Sequence, residues 1–311
     1  MTEFAIRTEG LTKIYTETTR GGLKRSVTVG LEDLNLEIKS GEVFAFLGLN
    51  GAGKTTTIKL LTRLHYPTRG EAWLLGRSNV KRETMRQVGY LPEQPRLYDY
   101  LTGREFLDFI GRIFGLNRQD RNKKIIDLLK IVGLQGRADQ SIRGYSRGMV
   151  QRLGLAQSLF NDPMLLILDE PMSNLDPFGR KDFRDLILEL KKQGKTIFFS
   201  SHILSDAEMI ADRIGILKEG RLVNVGSMED LVGSQVTGVD ITFHANEEYI
   251  KKIRQAFNEA VVQGQKIMLT LENESIVPEF LRRIEHWGGQ IISVIPHRKT
   301  LEELFMSEVR R

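Results

Sequence analysis

The feature that most constrains the fold is a glycine-rich stretch directly after an apolar run. Residues 48–55 read GLNGAGKT, and the five residues before them, Val43–Leu47, are all apolar. A continuous apolar run of this length between turn residues is typical of a buried strand. Glycines permit a tight turn and place no Cβ atom between the backbone and a bound group. The pattern therefore predicts a buried strand, a tight loop and a helix that begins near Gly53.

This geometry suits the phosphates of a nucleoside triphosphate, because the free N–H groups of a helix N-terminus point at the anion. The stretch matches the P-loop pattern, in which the lysine reaches the β- and γ-phosphates and the following hydroxyl binds Mg²⁺. We expect these roles for Lys54 and Thr55. The other residues expected to contact the nucleotide here are Gly48, Asn50, Gly51, Ala52, Gly53 and Thr56. A glycine-rich turn without a ligand is the alternative, and the order strand, loop, Lys-Thr and helix disfavours it.

A second apolar run, at 164–168, ends in two acidic residues, Asp169 and Glu170. In open parallel sheets, ligands bind outside the carboxyl ends of the strands, so this pair is expected beside the glycine-rich loop. Two carboxylates beside a phosphate need different roles. We expect Asp169 to hold Mg²⁺, usually through water, and Glu170 to act on the attacking water. A strand end capped by solvated acids is the alternative, and the nearby loop disfavours it.

Composition excludes several classes of protein. The 311 residues contain no cysteine and five scattered histidines, so disulfides, thiolate chemistry and Cys-ligated zinc are excluded. The net charge of +5 is too small to indicate nucleic-acid binding by itself. No apolar run approaches the ~18 residues of a membrane span, and the N-terminus does not read as a signal peptide. We expect a soluble, cytoplasmic protein that reaches the membrane through a partner.

The predicted domains are an ATPase domain at 1–230 and an accessory α+β domain at 231–311. Half-buried antiparallel strands in short segments are expected over 3–39, with a loop at 18–25. A helical subdomain is expected at about 95–160, with a helical insert at 103–134. Most of the apolar stripe in this insert is expected to pack into the core; the stripe consists of Phe106, Ile110, Ile113, Phe114, Ile125, Leu128, Leu129 and Val132. Predicted helices lie at 55–64, 147–160, 178–192 and 205–211, and predicted strands at 72–75, 88–91, 164–168, 196–200 and 214–217.

This alternation of strands and helices predicts an α/β fold with a mostly parallel sheet. In the accessory domain, strands are predicted at 236–244, 266–271 and 290–295, and helices at 247–257, 277–287 and 300–309.

The ordered motifs over residues 1–230 resemble the ATPase subunit of an ATP-binding cassette (ABC) transporter, in particular the stand-alone ATPases of bacterial exporters. The resemblance implies a P-loop NTPase fold with an antiparallel β subdomain and a helical subdomain. It implies that Tyr15, in LTKIY, stacks on adenine. It also implies that Gln94, between two prolines, touches Mg²⁺ and links the site to the permease.

Residues 145–152, YSRGMVQR, stand where the family has its signature. The resemblance implies that Ser146 and Gly148 close the ATP site of a second subunit, and that the departures at Arg147 and Met149 bear on turnover rate. Asp176, in SNLD, is implied in the dimer contact. His202 matches the family's switch histidine, which contacts the γ-phosphate and holds the water with the catalytic glutamate. Lys54, Glu170 and His202 are therefore the expected catalytic residues.

The resemblance implies an ATP- and Mg²⁺-dependent ATPase that acts as a sandwich homodimer. It energises a separately encoded polytopic permease, for export, from the inner face of the cell membrane, without contacting nucleic acid. One alternative is a soluble cassette ATPase that acts on nucleic acid or ribosomes. A second is a nucleotide-dependent regulator with 231–311 as its output domain. The single P-loop and the lack of sustained heptads favour transport.

Overall fold

The computed structural model describes residues 3–18, 25–79, 81–233, 236–246, 249–250, 253, 260–272, 274–298 and 300–310. The chain forms two compact units, Met1–Ser227 and Met228–Arg311. The strands of the first unit are β1 (Phe4–Thr18), β2 (Arg25–Lys39), β3 (Val43–Leu47), β4 (Arg69–Leu74), β5 (Arg77–Ser78), β6 (Val88–Leu91), β7 (Leu165–Leu168), β8 (Thr196–Ser201), β9 (Arg213–Lys218) and β10 (Arg221–Gly226). Its helices are α1 (Lys54–Leu61), α2 (Arg82–Met85), α3 (Gly103–Ile113), α4 (Arg118–Ile131), α5 (Arg147–Ser158), α6 (Pro177–Lys192) and α7 (Leu204–Ile210).

The central sheet has the order β10-β9-β3-β8-β7-β6. Strands β9, β3, β8, β7 and β6 are parallel, and β10 is antiparallel to β9. Every residue of β3, β7 and β8 is buried, as expected for strands covered on both faces. Since β8 lies between β3 and β7, the carboxyl ends of these three strands meet at one edge of the sheet.

A second sheet of the first unit is antiparallel, with the order β2-β1-β4-β5. The short segments predicted over 3–39 are instead two strands of 15 residues each. Register shifts interrupt the β1–β2 pairing between Thr8 and Leu11 and again between Leu11 and Lys13. A bulge changes which face the next side chain occupies, so one long strand reads as several short alternating segments. Of the predicted loop at 18–25, residues 19–24 lie outside the described residues.

The helical subdomain contains α3, α4 and α5. A capping box begins α3, where Thr102 and Glu105 bond each other's backbone N–H groups. The predicted apolar stripe is partly confirmed, since Phe106, Ile110, Ile125, Leu128, Leu129 and Val132 are buried. Ile113 and Phe114, also expected in the core, are 65% and 47% exposed, because they lie where α3 ends.

Helix α1 is shorter than the predicted 55–64. The Thr62 hydroxyl donates to the Ile58 carbonyl, and Arg63 adopts a left-handed backbone with φ of 59°. A left-handed residue cannot continue a right-handed helix, so the helix ends at Leu61.

The second unit is an α+β unit with the antiparallel sheet β12-β13-β11-β14. Its strands are β11 (Val236–His244), β12 (Val261–Gln263), β13 (Lys266–Leu271) and β14 (Gln290–Arg298). Its helices are α8 (Met228–Val232), α9 (Val277–His286) and α10 (Leu301–Arg310). Ile241, Phe243, Ile267 and Ile284 lie in its core, each with no exposed surface. Of the predicted helix at 247–257, only 249–250 and 253 lie within the described residues.

The predicted fold class is therefore confirmed: a mostly parallel sheet with an antiparallel β subdomain, a helical subdomain and a small α+β unit. In the described parts of the chain, no helix is long and apolar enough to cross a membrane.

Candidate functional site

The loop between β3 and α1 has backbone geometry that only glycine tolerates. Gly53 precedes α1 with φ of 108°, and a Cβ atom there would lie 2.5 Å from the Gly30 carbonyl oxygen. At Gly48, a Cβ atom would lie 2.6 Å from the Leu217 carbonyl oxygen. The loop therefore packs directly on neighbouring backbone. It forms a narrow cradle at the start of α1, and the first-turn N–H groups of a helix are suited to binding an anion.

Lys54 is a buried cation at the base of this cradle. Its Nζ atom donates to the carbonyls of Gly48 at 2.7 Å and Leu49 at 3.2 Å. The same atom lies 3.1 Å from Glu170 Oε1, in an ion pair with side chains only 6% and 8% exposed. Burying an ammonium is costly unless anions or dipoles surround it. The buried charge, the glycine cradle and the helix N-terminus together fit a polyphosphate.

Asp169, at the end of β7, connects the loop to β8. Its Oδ1 atom accepts from the Thr55 hydroxyl at 3.3 Å and from the Ser200 hydroxyl at 2.8 Å. Burial raises the pKa of Asp169, while the hydrogen bonds from Ser200 and Thr55 oppose that rise. A buried carboxylate that is costly to ionise fits a site that receives a cation. A carboxylate and a hydroxyl are hard oxygen ligands, so this pair fits Mg²⁺.

Glu170 lies between Lys54 and His202. Its Oε2 atom is 2.8 Å from His202 Nδ1 and 3.4 Å from the His202 backbone nitrogen, which donates to it. Oε1 has the ionic contact with Lys54 and no hydrogen bond within the described residues. Glu170 also adopts a left-handed backbone with φ of 45°, which is strained for a residue with a side chain. This strained turn directs the carboxylate at the loop, where it can accept a proton or orient water.

Ser200 contacts both acids at this edge although the sequence motifs do not predict it, and Tyr90 lies near enough to feel the charge of Asp169. Ser200 donates to Asp169, and its Oγ atom accepts from the Glu170 backbone nitrogen at 2.8 Å, so it fixes both acids. Burial and the nearby charge of Asp169 raise the pKa of Tyr90 to about 12. Ser200 could be recognised in the sequence as a serine at the end of a strand that is predicted to be central and buried. Tyr90 carries no such signal in the sequence.

The structure places Tyr15 beside the first turn of α1. Its hydroxyl oxygen lies 3.4 Å from Thr56 Oγ1 and 3.0 Å from His65 Nδ1. The Lys13 ammonium lies 5.3 Å from the centre of the Tyr15 ring. Gln94 is exposed and lies three residues beyond the end of β6.

Ser146 and Asp176 are helix caps in this chain. Ser146 precedes α5, and its Oγ atom accepts from the Met149 backbone nitrogen at 3.3 Å. Asp176 precedes α6, and its Oδ1 atom accepts from the Gly179 backbone nitrogen at 2.6 Å. A cap fixes the position of the residue at the helix start. Direct contacts within one chain link the loop, Asp169, Glu170, Ser200 and His202.

Comparisons with known proteins agree with this geometry. A family model described as ABC transporter matches residues 31–173. An ABC transporter ATP-binding protein of Nostoc sp. (strain PCC 7120) is 42% identical over 313 residues, which cover 100% of this chain and 91% of the relative. The bacitracin transport ATP-binding protein BcrA of Bacillus licheniformis is 43% identical over 221 residues, 70% of this chain and 68% of BcrA. A dimeric ATP-binding cassette, solved in a post-hydrolysis state with ADP and Pi, superposes with a TM-score of 0.64 at 25% identity, over 71% of this chain and 98% of that one.

The chain belongs to the family of ABC transporter ATP-binding proteins. The resemblance inferred from the motifs is thereby confirmed, and so is the enzymatic activity: the protein binds and hydrolyses ATP.

Proposed function

We propose that this ATPase energises a separately encoded membrane permease, and that the direction of transport is export. The observation that carries the catalytic part of this proposal is the position of Glu170, whose two oxygens lie 3.1 Å from Lys54 Nζ and 2.8 Å from His202 Nδ1. A carboxylate held between a phosphate-binding lysine and a histidine is suited to acting on water beside a γ-phosphate.

Each residue of the site has a role in this proposal. Lys54 and the N–H groups of the glycine loop bind the β- and γ-phosphates, and Tyr15 stacks on the adenine. Thr55 and Asp169 hold Mg²⁺, with Gln94 as a third contact that also senses the permease. Glu170 takes the proton of the attacking water, and His202 holds that water in place. Magnesium, when bound, neutralises the charge that develops on the phosphate oxygens.

The proposal includes a homodimer in which each copy completes the ATP site of the other. Ser146 is exposed at the N-terminus of α5, so its hydroxyl and the backbone of Gly148 are available to a second molecule. Asp176 caps α6 and contributes to the same contact. The dimeric cassette solved with ADP and Pi supports this arrangement. Closure of the dimer moves the helical subdomain and with it the permease.

The proposed location of the protein in the cell follows from its permease partner. A permease partner would hold the ATPase on the inner face of the cell membrane, with no nucleic acid needed. Residues 231–311 are proposed as an accessory domain. The export direction is supported by the variant signature YSRGM, which resembles the exporter branch.

The test is a mild-detergent purification of the tagged protein from its native membrane. We expect a polytopic membrane protein to copurify and to raise the ATPase rate when it is added back. Lys54→Ala serves as the matched control, since it should retain the partner without hydrolysis. Copurification of ribosomes or nucleic acid in place of a membrane protein would contradict the proposal and support the alternative class.

A further inference from the structure

A buried ion pair outside the site joins α6 to α7. The Asp206 carboxylate has no exposed surface. Its Oδ1 atom accepts from Arg184 Nη1 at 2.5 Å and from Arg180 Nη2 at 3.3 Å. A buried ion pair adds little net stability, because removing the charges from water costs about as much as their attraction returns. Its presence therefore indicates a role in fixing the geometry of the two helices.

The pair connects two segments that the proposed function uses. Asp206 lies in the first turn of α7, four residues after His202. Arg180 lies in the first turn of α6, four residues after Asp176, and its backbone nitrogen donates to the Asp176 carbonyl at 2.9 Å. One helical turn and one ion pair therefore connect Asp176 to the segment that carries His202.

The pairing is also incomplete in a specific way. Both arginines bind Oδ1, while Asp206 Oδ2 and Arg180 Nε are buried without a hydrogen-bond partner among the described residues. Guanidinium and carboxylate groups are shaped to form two parallel hydrogen bonds. A rearrangement that places Nε opposite Oδ2 would satisfy both atoms at once. A second, two-pronged arrangement of the contact is thus available to it, and a coupling element requires two arrangements.

We propose that Asp206, held by Arg180 and Arg184, is a positioning residue that couples closure of the dimer at Asp176 to the placement of His202 against Glu170. The inference rests on the proposed function, in which Asp176 meets the second copy and His202 acts with Glu170. A displacement of about 1 Å at a reacting group can lower a rate by about 100-fold. Loss of the pair should therefore slow turnover without weakening ATP binding.

The first test compares Asp206→Asn with the native protein in ATPase and ATP-binding assays. We expect kcat to fall by about ten- to 100-fold, since the reacting groups are misplaced. The Kd for ATP should stay within about threefold, because the phosphate cradle is untouched. Arg184→Lys should retain more turnover than Arg184→Gln, because it keeps the charge. An unchanged kcat in Asp206→Asn overturns the proposal.

The matched control is Lys195→Gln. Lys195 is also buried and ion-paired, with Nζ 2.6 Å from Asp162 Oδ1, but it lies at the opposite end of β8 from Ser200. We expect this variant to lower thermal stability and leave kcat unchanged. An equal loss of kcat in Lys195→Gln and Asp206→Asn would mean that the effect is general destabilisation, which also overturns the proposal.

The second test places Asp206→Asn in a His202→Ala background. If Asp206 acts through His202, the double variant is no slower than His202→Ala alone. A merely structural role multiplies the two losses, and that result overturns the proposal. Arg184→Gln, whose side chain is 15% exposed, replaces Asp206→Asn if the latter does not fold. Native turnover in His202→Ala alone would instead show that the proposed function is wrong about His202.

Discussion

Replacement of Glu170 by glutamine removes the proposed base while keeping the shape of the side chain. Glutamine retains an oxygen that can face Lys54 Nζ, now 3.1 Å from Oε1, but it has no negative charge with which to take a proton. The amide also replaces the carboxylate oxygen that lies 2.8 Å from His202 Nδ1. The substitution thus keeps an uncharged oxygen towards Lys54 and replaces the oxygen that contacts His202.

The expected loss of rate follows from the role of a general base. Such a group contributes about 10² to 10⁴ in rate. At 1.36 kcal/mol for each factor of ten, this corresponds to about 3–5 kcal/mol of transition-state stabilisation. ATP binding should not weaken, since Lys54 keeps its contacts with the Gly48 and Leu49 carbonyls and loses a competing anion.

The assay is a steady-state ATPase measurement together with equilibrium binding of a fluorescent ATP analogue. Glu42→Gln is the matched control, because Glu42 is another buried acid. It accepts hydrogen bonds from the Lys39 backbone nitrogen and Arg213, at the end of β3 away from the loop. We expect its kcat to match that of the native protein. If Glu170→Gln turns over within about threefold of the native rate, a difference of less than 1 kcal/mol, the role of Glu170 as base is refuted.

Substitutions of Lys54, Asp169 and Ser200 test the same edge of the sheet. Lys54→Ala should abolish ATP binding, because it removes the buried cation of the cradle; binding of the fluorescent analogue at native affinity would contradict this. Asp169→Asn should abolish Mg²⁺-dependent turnover and yet raise the melting temperature at pH 7. Burial raises the pKa of Asp169 in the folded protein above its pKa in the unfolded chain. Ionisation of Asp169 therefore destabilises the native protein as the pH rises through the range between these two pKa values. The gain in melting temperature of Asp169→Asn should disappear as the pH falls through about 4, near the unfolded pKa. A lower melting temperature at pH 7 argues against that reasoning. Ser200→Ala leaves the buried Glu170 backbone nitrogen without its acceptor, so denaturant unfolding should show a loss of roughly 1–3 kcal/mol, whereas an unchanged midpoint would show that this bond is not needed.

Local patterns predicted the elements that carry the site. The all-apolar run Val43–Leu47 and the glycines after it are sufficient to indicate a strand, a loop and the start of α1 at Lys54. Strands with exposed residues gave weaker signals. Strand β10 (Arg221–Gly226) is not predicted, because it lies at the edge of its sheet and its exposed residues alternate with partly exposed ones. Strand β12 is not predicted, because its three residues are too few to show a period.

Contacts between distant segments could not be predicted in the same way. Ser200 contacts both Asp169 and the Glu170 backbone because β8 lies between β3 and β7. No local pattern in the sequence encodes this order of strands. The ion pair of Asp206 with Arg184 likewise depends on how α6 and α7 pack. The sequence therefore predicts which residues have side chains suited to binding or catalysis, and the fold determines which of them come into contact.

In the proposed function, two copies of this chain close on ATP, each completing the site of the other. The most direct measurement is the solution mass of the Glu170→Gln variant by light scattering, with and without ATP and Mg²⁺. We predict the monomer mass of 35.5 kDa without nucleotide and twice that mass with ATP and Mg²⁺. A mass that stays at 35.5 kDa with ATP bound would show that two copies do not close on the nucleotide.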